Sequence, residues 1–335
     1  MGNPVLVEVT RGRLTESRHR GAVAVVDADG KAVLARGDVA APVFPRSAIK
    51  ALQALPLLES GAGDHFGFGA EELALACGSH SGEDAHVAGV ERMLARAGLA
   101  ERALLCGIHW PLNQDAARDL ARRGGSATAL HNNCSGKHAG FLCAACALGV
   151  DTAAYITPEH PVQRAVKAVL DDLAGAVIPD ERRAIDGCSV PTWAMPLTGL
   201  ARAFARFGTG QGLTPVRAAA ARRLLAACAD KPWFVAGTNR FCTTLMSLFG
   251  PRVFAKTGAE AVCCGALPEL GLGIAIKCDD GGNRAAEVAF AAVVAQRLDL
   301  AEEDRAALDA LVRPVIKNWH GLEVGGLRPA GALLG

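Results

Sequence analysis

Apolar residues alternate with polar ones near both ends of the chain and follow a helical period in between. Residues 5–10 and 22–27 alternate or run apolar, which is typical of strands. A turn over residues 27–30, Asp-Ala-Asp-Gly, leads into another apolar stretch at residues 32–36, so the pattern predicts a hairpin. The same pattern near the other end predicts three more short strands, at residues 252–256, 261–266 and 272–278.

The stretches outside these strands carry apolar residues at the spacing of amphipathic helices. Helices are predicted at residues 47–58, 70–77, 83–97, 137–148, 161–173, 197–207, 214–229 and 284–298. Pro56 lies inside the first of them, and we expect it to kink or shorten that helix. The glycine-rich tail at residues 321–335 is expected to be loosely held.

Strands at both ends with helices between them predict an α+β fold. We expect one antiparallel sheet that is built from the N- and C-terminal strands and flanked by helices. A single domain over residues 1–335, with a helical middle at about residues 60–250, accounts for this order of elements. Such a fold brings the helix start at residue 47 near the strand end at residue 256.

Composition and charge narrow the class of protein. Of the 335 residues, 50% are apolar and 21% are charged, which is enough to form a large core. The formal net charge of +1 gives no attraction toward nucleic acid or a membrane surface. No apolar run approaches the roughly 18 residues of a membrane span, and residues 1–13 have the pattern of a strand rather than of a signal core. We therefore expect a cytoplasmic protein whose 11 cysteines are thiols or ligands rather than disulfides.

The segment Pro45-Arg-Ser47-Ala-Ile-Lys50 opens the first predicted helix. Residues three apart on a helix share a face, so the Ser47 hydroxyl and the Lys50 amine can meet. A serine becomes a nucleophile when a neighbouring base takes its proton, and a neutral lysine can be that base. Keeping a lysine neutral at pH 7 costs roughly 4–5 kcal/mol, and burial or a second cation lowers the pKa and with it that cost. Ser-x-x-Lys alone is common, so its meaning depends on the rest of the chain.

Two further polar clusters interrupt the periodic pattern. Residues 78–83, Gly-Ser-His-Ser-Gly-Glu, place the Ser79 hydroxyl at a predicted helix start, although a plain helix cap also explains this segment. Lys256-Thr-Gly258 ends a predicted C-terminal strand. Serine β-lactamases and penicillin-binding proteins pair a Lys-Thr-Gly with an earlier Ser-x-x-Lys. Because the chain order agrees, the two motifs together predict a Ser-Lys hydrolase site.

Another cluster contains sulfur and nitrogen donors. Cys134, Lys137 and His138 lie at the start of an apolar predicted helix, and Cys188 follows in a separate segment. Two thiolates and one nitrogen can hold Zn²⁺ with one position open. Histidine is the usual nitrogen ligand, which favours His138, whereas a lysine must first lose its proton. Two unrelated thiols are the alternative interpretation.

Taken together, these segments resemble the rhizobial-type (class 3) L-asparaginase II family. The motifs that carry the resemblance follow in family order, at residues 45–50, 77–83, 131–140, 186–191 and 256–260. The resemblance implies hydrolysis of L-asparagine to L-aspartate and ammonia. It also implies a fold similar to that of serine β-lactamases and glutaminases, and a homodimer.

The resemblance implies two catalytic Ser-Lys pairs, Ser47 with Lys50 and Ser79 with Lys256. We expect Ser47 to attack the side-chain amide carbon while Lys50 takes its proton. Ser79 would then relay a proton to the departing ammonia, and it is also the alternative nucleophile. Backbone N–H groups near Ser47 or near Gly258 would hold the oxyanion.

The zinc site that the resemblance implies uses Cys134, Lys137 and Cys188, with Lys137 in place of His138 as the nitrogen ligand. In the family the zinc tunes substrate binding more than it performs the chemistry. His138 would then lie beside the metal site or face the substrate.

Charge complementarity adds candidates for the substrate's α-carboxylate and α-amine. They are Arg46, Asp186 and Glu260, and with His138 they form the expected substrate-binding set.

Two other classes of function compete with an asparaginase. A glutaminase or β-lactamase activity is the alternative among hydrolases, and the lack of a secretion signal argues against the second. The other class is a non-catalytic amino-acid-binding or zinc-dependent regulatory protein. Such a binder has little need for two costly neutral lysines, which favours an enzyme. The preference for asparagine over glutamine stays open, because one methylene is worth only about 1–3 kcal/mol.

Overall fold

A computed structural model of the chain describes residues 2–333. In this part of the chain the strands are β1 Val5–Arg11, β2 Leu14–Asp27, β3 Ala32–Arg36, β4 Pro42–Val43, β5 Arg183–Ile185, β6 Pro191–Trp193, β7 Met195–Pro196, β8 Phe254–Thr257, β9 Val262–Leu267, β10 Leu272–Cys278, β11 Val315–Lys317 and β12 Glu323–Pro329.

The helices of the same residues separate the N-terminal strands from the C-terminal ones. They are α1 Lys50–Gln53, α2 Leu55–Glu59, α3 Ala62–His65, α4 Ala70–Ala76, α5 Asp84–Arg96, α6 Gln114–Arg122, α7 Ser135–Ala147, α8 Pro161–Ala174, α9 Leu197–Thr209, α10 Pro215–Asp230, α11 Pro232–Ala236, α12 Phe241–Phe249, α13 Asn283–Arg297 and α14 Glu302–Val312.

One eight-stranded antiparallel sheet joins the two ends of the chain. Its order is β11-β12-β1-β2-β10-β9-β8, and β3 also pairs with β2. The long strand β2 connects the two halves, since its first part pairs with β1 and its second part, from Gly21 onward, pairs with β10. The predicted α+β fold, with an antiparallel sheet made of N- and C-terminal strands and flanked by helices, is therefore confirmed.

Helices cover both faces of the sheet. Helix α9 packs on β2, β9 and β10, while α13 packs on the opposite face of β9, β10 and β1. Gly273 of β10 permits the close approach of α9, because a Cβ at this position would lie 1.8 Å from the Ala201 carbonyl oxygen. Side chains from the sheet and from the helical middle form one continuous apolar core. The single-domain prediction agrees with this core but is not tested by it.

The helical middle contains the predicted helices and also α3, α6, α11 and α12, which the sequence pattern did not predict, and one predicted helix is broken. The predicted helix at residues 47–58 is divided into a 3₁₀ turn at Arg46–Ile49, α1 and α2. Pro56 at the start of α2 lacks an N–H and disfavours the helical conformation of the residue before it, which agrees with the shortening we predicted. Helix α7 is buried along most of its length, and its first residues carry the candidate zinc ligand Lys137.

The C-terminal region differs from the prediction of a loosely held tail. Strand β12 pairs with β1, from Val7 with Pro329 to Arg11 with Gly325. Glycine-rich segments give little apolar signal, but β1 offers a free edge whose hydrogen bonds β12 fills. The tail is thus an integral strand up to Pro329.

No helix among residues 2–333 combines the length and the apolar character that crossing a membrane requires.

Candidate active site

Ser47 lies in the 3₁₀ turn that precedes α1, where the loop after β8 packs against it. Gly258 of that loop permits the contact, because a Cβ there would lie 2.8 Å from the Pro45 carbonyl oxygen and 2.9 Å from the Ala48 nitrogen. Arg46, next to Ser47, has a left-handed φ of 51°. The helix start at residue 47 and the strand end at residue 256 therefore lie close together, as predicted.

Lys50 follows Ser47 by one helical turn and is completely buried. Its Nζ donates a hydrogen bond to the Asn133 carbonyl oxygen at 3.1 Å. Within the described part of the chain no hydrogen bond joins Ser47 and Lys50. The two side chains lie on one face of a tight turn, and catalytic hydrogen bonds are often longer in enzymes without substrate than in their complexes.

Ser79 follows α4, and its position is fixed through the backbone. Its N–H donates to the Val235 carbonyl oxygen at 2.7 Å, while its buried Oγ has no hydrogen-bond partner among residues 2–333. A buried hydroxyl without a partner is unfavourable unless a ligand or a moving group satisfies it. Ser79 is thus available for chemistry.

Lys256, at the end of β8, is also completely buried. Burial lowers its pKa to about 8, and the positive charges of Lys50 and Arg240 act in the same direction. Its Nζ donates to the Thr257 carbonyl oxygen at 2.7 Å, and in residues 2–333 it forms no hydrogen bond with Ser79. The amine of Lys256 therefore loses its proton far more readily than that of an ordinary lysine.

We predicted that backbone N–H groups near Ser47 or near Gly258 would hold the oxyanion, and the structure favours the group near Ser47. The Gly258 N–H already donates to the Val262 carbonyl oxygen at 2.7 Å, so Gly258 itself is not free to bind an oxyanion. The Ser47 N–H, in contrast, has no acceptor in the described residues. The backbone donor next to Ser47 is thus the available one.

Cys134, Lys137 and Cys188 come together at the start of α7. The Lys137 Nζ lies 3.0 Å from the Cys188 Sγ, and Cys134 lies beside Cys188 while its thiol donates to the Asn133 side-chain oxygen at 3.3 Å. The contact with Cys188 lowers the pKa of Cys134 well below its usual value, against the effect of burial, and Lys50 and Lys137 add to that effect. Although burial acts against its charge, Lys137 has a raised pKa because Cys188 and Cys134 lie beside it.

These donors match the chemistry of zinc. Among residues 2–333 no group of three or more His, Cys, Asp and Glu side chains could hold a metal, so two thiols need the Lys137 amine as a third donor. Two sulfurs and one nitrogen with one position open form a donor set that Zn²⁺ accepts, but the raised pKa of Lys137 means that a metal would have to displace the proton of this amine. The predicted ligand residues are therefore adjacent, and the presence of the metal stays a prediction.

His138 does not join these donors. Its Nδ1 lies 2.6 Å from the Tyr155 hydroxyl, which itself accepts the Leu105 N–H at 2.8 Å. The tyrosine O–H therefore points to Nδ1 and leaves Nε2 as the N–H, which has no partner in the described residues. Burial, followed by the charges of Lys137 and Lys50, lowers the pKa of His138 well below its usual value, so the ring is neutral. Tyr155 had no sequence signal, because its partner is distant in the chain.

His80 and Ser81 of the second cluster hold the site together. The His80 Nε2 lies 2.8 Å from the Ser135 Oγ at the start of α7, and its Nδ1 accepts the Gly82 N–H. The Ser81 hydroxyl donates to the Ala236 carbonyl oxygen at 2.8 Å. These contacts position the Ser79 loop against α7 and α11.

A cavity of about 600 Å³ is lined by Arg46 of the Ser47 turn, whereas Ser47, Lys50, Ser79 and Lys256 are not among its lining residues. Three predicted substrate-binding residues line it, and two of them, Arg46 and Asp186, form an ion pair at 2.6 Å. Glu260 is the third. Lys277 and Thr192 also line the cavity, and the sequence analysis did not single them out. A lysine inside the apolar strand β10 was the signal that could have found Lys277.

Strained backbone surrounds this cavity. Arg46, Glu260, Ala261 and Ser189 all have left-handed φ angles, between 51° and 75°. Such conformations are uncommon outside glycine and concentrate at functional sites. Ser189 belongs to the turn that holds Asp186, to whose carbonyl its N–H donates.

Completely buried lysines and serine hydroxyls that have no hydrogen-bond partner among residues 2–333 are typical of a hydrolytic enzyme. The L-asparaginase II family model matches residues 7–329, so the chain belongs to the L-asparaginase II family. The coarse activity that follows is that of an amidohydrolase of the asparagine and glutamine type. No curated protein gives a significant match.

Solved structures resemble the chain at low identity. Mglu is 16% identical over 85% of this chain and 69% of its own, with a TM-score of 0.42. Mglu in its glutamate form is 15% identical over 85% of this chain and 62% of its own, with the same TM-score of 0.42. A β-lactamase from Mycobacterium bovis is 14% identical over 87% of this chain and 93% of its own, with a TM-score of 0.38. The chain thus spans about two thirds of the length of Mglu.

Proposed function

We propose that the chain hydrolyses L-asparagine to L-aspartate and ammonia through an acyl-enzyme on Ser47. The observation that carries the proposal is the pair of completely buried lysines, Lys50 and Lys256, together with Ser47 and Ser79, whose hydroxyls form no hydrogen bond within residues 2–333. The pKa of Lys256 is lowered to about 8, so a proton acceptor is present near neutral pH. A non-catalytic binder has no need for buried amines of this kind.

The first step is attack by the Ser47 Oγ on the side-chain amide carbon, while the Lys50 amine takes the serine proton. The carbonyl oxygen becomes an oxyanion, and the Ser47 N–H is the free backbone donor next to it. The C–N bond then breaks, and the proton that Lys50 took from Ser47 passes through the Ser79 hydroxyl to the departing nitrogen, which leaves as ammonia while the Lys50 amine becomes neutral again. Lys256, as a neutral amine, supplies the basicity that poises Ser79.

The second step releases the product. Water attacks the ester carbon, a neutral amine takes the proton of the water, and aspartate leaves as the Ser47 hydroxyl is restored. A role for Ser79 and Lys256 in both steps is supported by the Ser79 hydroxyl, which has no hydrogen-bond partner among residues 2–333, and by the lowered pKa of Lys256.

We also propose that Cys134, Lys137 and Cys188 hold Zn²⁺ and that the metal modulates substrate binding. When bound, the ion supplies a positive charge and an open coordination position next to the pocket. In the same proposal His138 binds a substrate oxygen, which its neutral ring supports, since the Nε2–H has no partner among residues 2–333.

The test is ammonia release from L-asparagine, from L-glutamine and from buffer alone. We expect Ser47→Ala to lower kcat by several orders of magnitude, while Ser126→Ala, at an exposed loop serine, has no effect. If Ser47→Ala kept most of the wild-type kcat, Ser47 would not be the nucleophile. Trapping the acyl-enzyme and mapping the modified peptide distinguishes Ser47 from Ser79. Release from neither amide would favour a binding protein.

A further inference from the structure

The cavity next to Ser47 contains two kinds of charged group. Arg46 and Asp186 neutralise each other, and the Asp186 carboxylate, whose side chain is only 10% exposed, also accepts the Gly187 N–H. Separating this pair for a ligand would leave a buried charge without a partner, which is strongly unfavourable. Arg46 and Asp186 therefore form a wall of the cavity rather than its free charges.

Lys277 and Glu260 are the free charges. The Lys277 Nζ donates to the Glu260 backbone carbonyl oxygen, and no carboxylate in residues 2–333 forms an ion pair with it. The Glu260 carboxylate likewise pairs with no cation in that part of the chain. One uncompensated cation and one uncompensated anion thus line the same cavity.

Lys277 lies at an unusual position in strand β10. Successive residues of a strand point to opposite faces, so Lys277 shares its face of β10 with Gly273, which lies under α9. Its neighbours Ile276 and Cys278 are buried on the other face. A half-buried lysine in a strand of apolar residues breaks the local pattern, and such breaks occur at functional positions.

An unsatisfied hydroxyl is a further sign of a ligand. Thr192 lines the cavity and is only 4% exposed, and its Oγ1 has no hydrogen-bond partner among the described residues. A buried hydroxyl of this kind is costly until a ligand pairs with it.

We propose that Lys277 binds the α-carboxylate of the substrate and Glu260 its α-amine, with Thr192 as a neutral hydrogen-bonding group between them. Lys277 then determines specificity for amides that carry a free α-carboxylate. This assignment rests on the proposed amidohydrolase function, and it replaces Arg46 and Asp186 as the groups that read the charged end of the amino acid.

The experiment compares three amides: L-asparagine, succinamate, which lacks the α-amine, and 3-aminopropanamide, which lacks the α-carboxylate. Lys277→Gln is expected to lower kcat/KM for L-asparagine roughly 10- to 100-fold, mainly through KM, since a charge-assisted hydrogen bond is lost. The same substitution should leave kcat/KM for 3-aminopropanamide unchanged. Glu260→Gln should show the reverse selectivity and spare succinamate. Lys277→Arg should keep most of the activity.

The matched control is Lys317→Gln, at an exposed lysine on β11 of the same sheet, which should change nothing. If Lys277→Gln lowered kcat/KM for L-asparagine and for 3-aminopropanamide equally, the role of Lys277 would be structural and the assignment would be wrong. Unchanged kinetics with asparagine would also overturn it.

Calorimetric binding of L-aspartate separates this inference from the proposed function. If the wild type released no ammonia from asparagine but bound L-aspartate, the activity proposal would fail. L-Aspartate binding that is at least tenfold weaker in Lys277→Gln would then still support Lys277 as the group that binds the α-carboxylate. If Lys277→Gln bound L-aspartate as the wild type does, Lys277 would not bind the α-carboxylate, and the proposed amidohydrolase activity would be unaffected by this result.

Discussion

Lys256 links burial to reactivity at the scale of a single residue. A lysine in water keeps its proton up to a pKa of about 10.4. Here burial, with a smaller contribution from the charge of Lys50, lowers the pKa to about 8. The pKa of Lys256 is thus close to the value at which a general base works best near neutral pH.

The pH dependence of the activity follows from this pKa. We expect kcat/KM for L-asparagine to rise with pH and to level off above about 8, because only the neutral amine accepts a proton. The measurement is a pH–rate profile from about pH 6 to about pH 10. Lys256→Arg, which stays charged, should lose most of the rate, whereas Lys317→Arg should keep the wild-type profile. A rate that is already maximal at pH 6 would contradict the assignment.

The candidate zinc site gives a second prediction at this scale. Cys134→Ser should lose zinc and raise KM severalfold, because it removes one of two thiol donors. Cys146→Ser is the matched control, since Cys146 lies near the other end of α7 and is only partly buried. Zinc content by elemental analysis decides the question, and an unchanged content in Cys134→Ser would exclude this site.

At the scale of elements, the site depends on the contact between the loop after β8 and the 3₁₀ turn at Arg46–Ile49. The loop presents the backbone of Gly258 to Pro45 and Ala48, and no side chain fits between them. Ser47 is therefore positioned by a strand end that follows it by about two hundred residues.

Gly258→Ala tests this contact. The added Cβ would lie 2.8 Å from the Pro45 carbonyl oxygen, so the turn that holds Ser47 must shift. We expect kcat to fall about tenfold or more, with a loss in the free energy of unfolding of about 1–3 kcal/mol. Gly331→Ala, with open space around it, should have little effect on either. Full activity in Gly258→Ala would show that this contact does not position Ser47.

Much of the local structure could be predicted from periodicity. Residues 272–278 and 32–36 were predicted with the bounds that β10 and β3 have, and most helices were within a few residues. Strand β12 could not be predicted in this way, because its glycines give no period and its pairing with β1 depends on a partner about 320 residues away. The break of the first helix was expected from Pro56, but its 3₁₀ start was not.

The candidate site shows the same division. Ser47, Ser79, Lys256 and the three zinc-ligand candidates were found because they lie in motifs with recognisable spacing. Tyr155, Thr192 and Lys277 lie outside any motif and reach the site only through the fold. The Arg46–Asp186 pair was also missed, because charge alone does not tell which residues neutralise each other.

At the scale of the whole molecule, the resemblance to the class 3 family predicts a homodimer. Ile108, Trp110 and Leu112 expose apolar surface on one loop, at 69%, 48% and 49%, which a subunit interface would cover. Light scattering after size-exclusion chromatography should give a mass of twice 34.6 kDa. A monomer mass at micromolar concentration would contradict the prediction, and the cytoplasmic location awaits its own test.

The left-handed residues around the cavity set a limit on how far this enzyme can be made heat-resistant. Each of Arg46, Ser189, Glu260 and Ala261 holds a conformation that costs an ordinary residue about 1 kcal/mol. An engineer who selects for thermal tolerance would find glycine attractive at these positions, since it removes that cost. The same exchange would loosen the turns that carry the proposed nucleophile Ser47 and the charged groups, so we expect variants selected for heat resistance at this cavity to lose turnover.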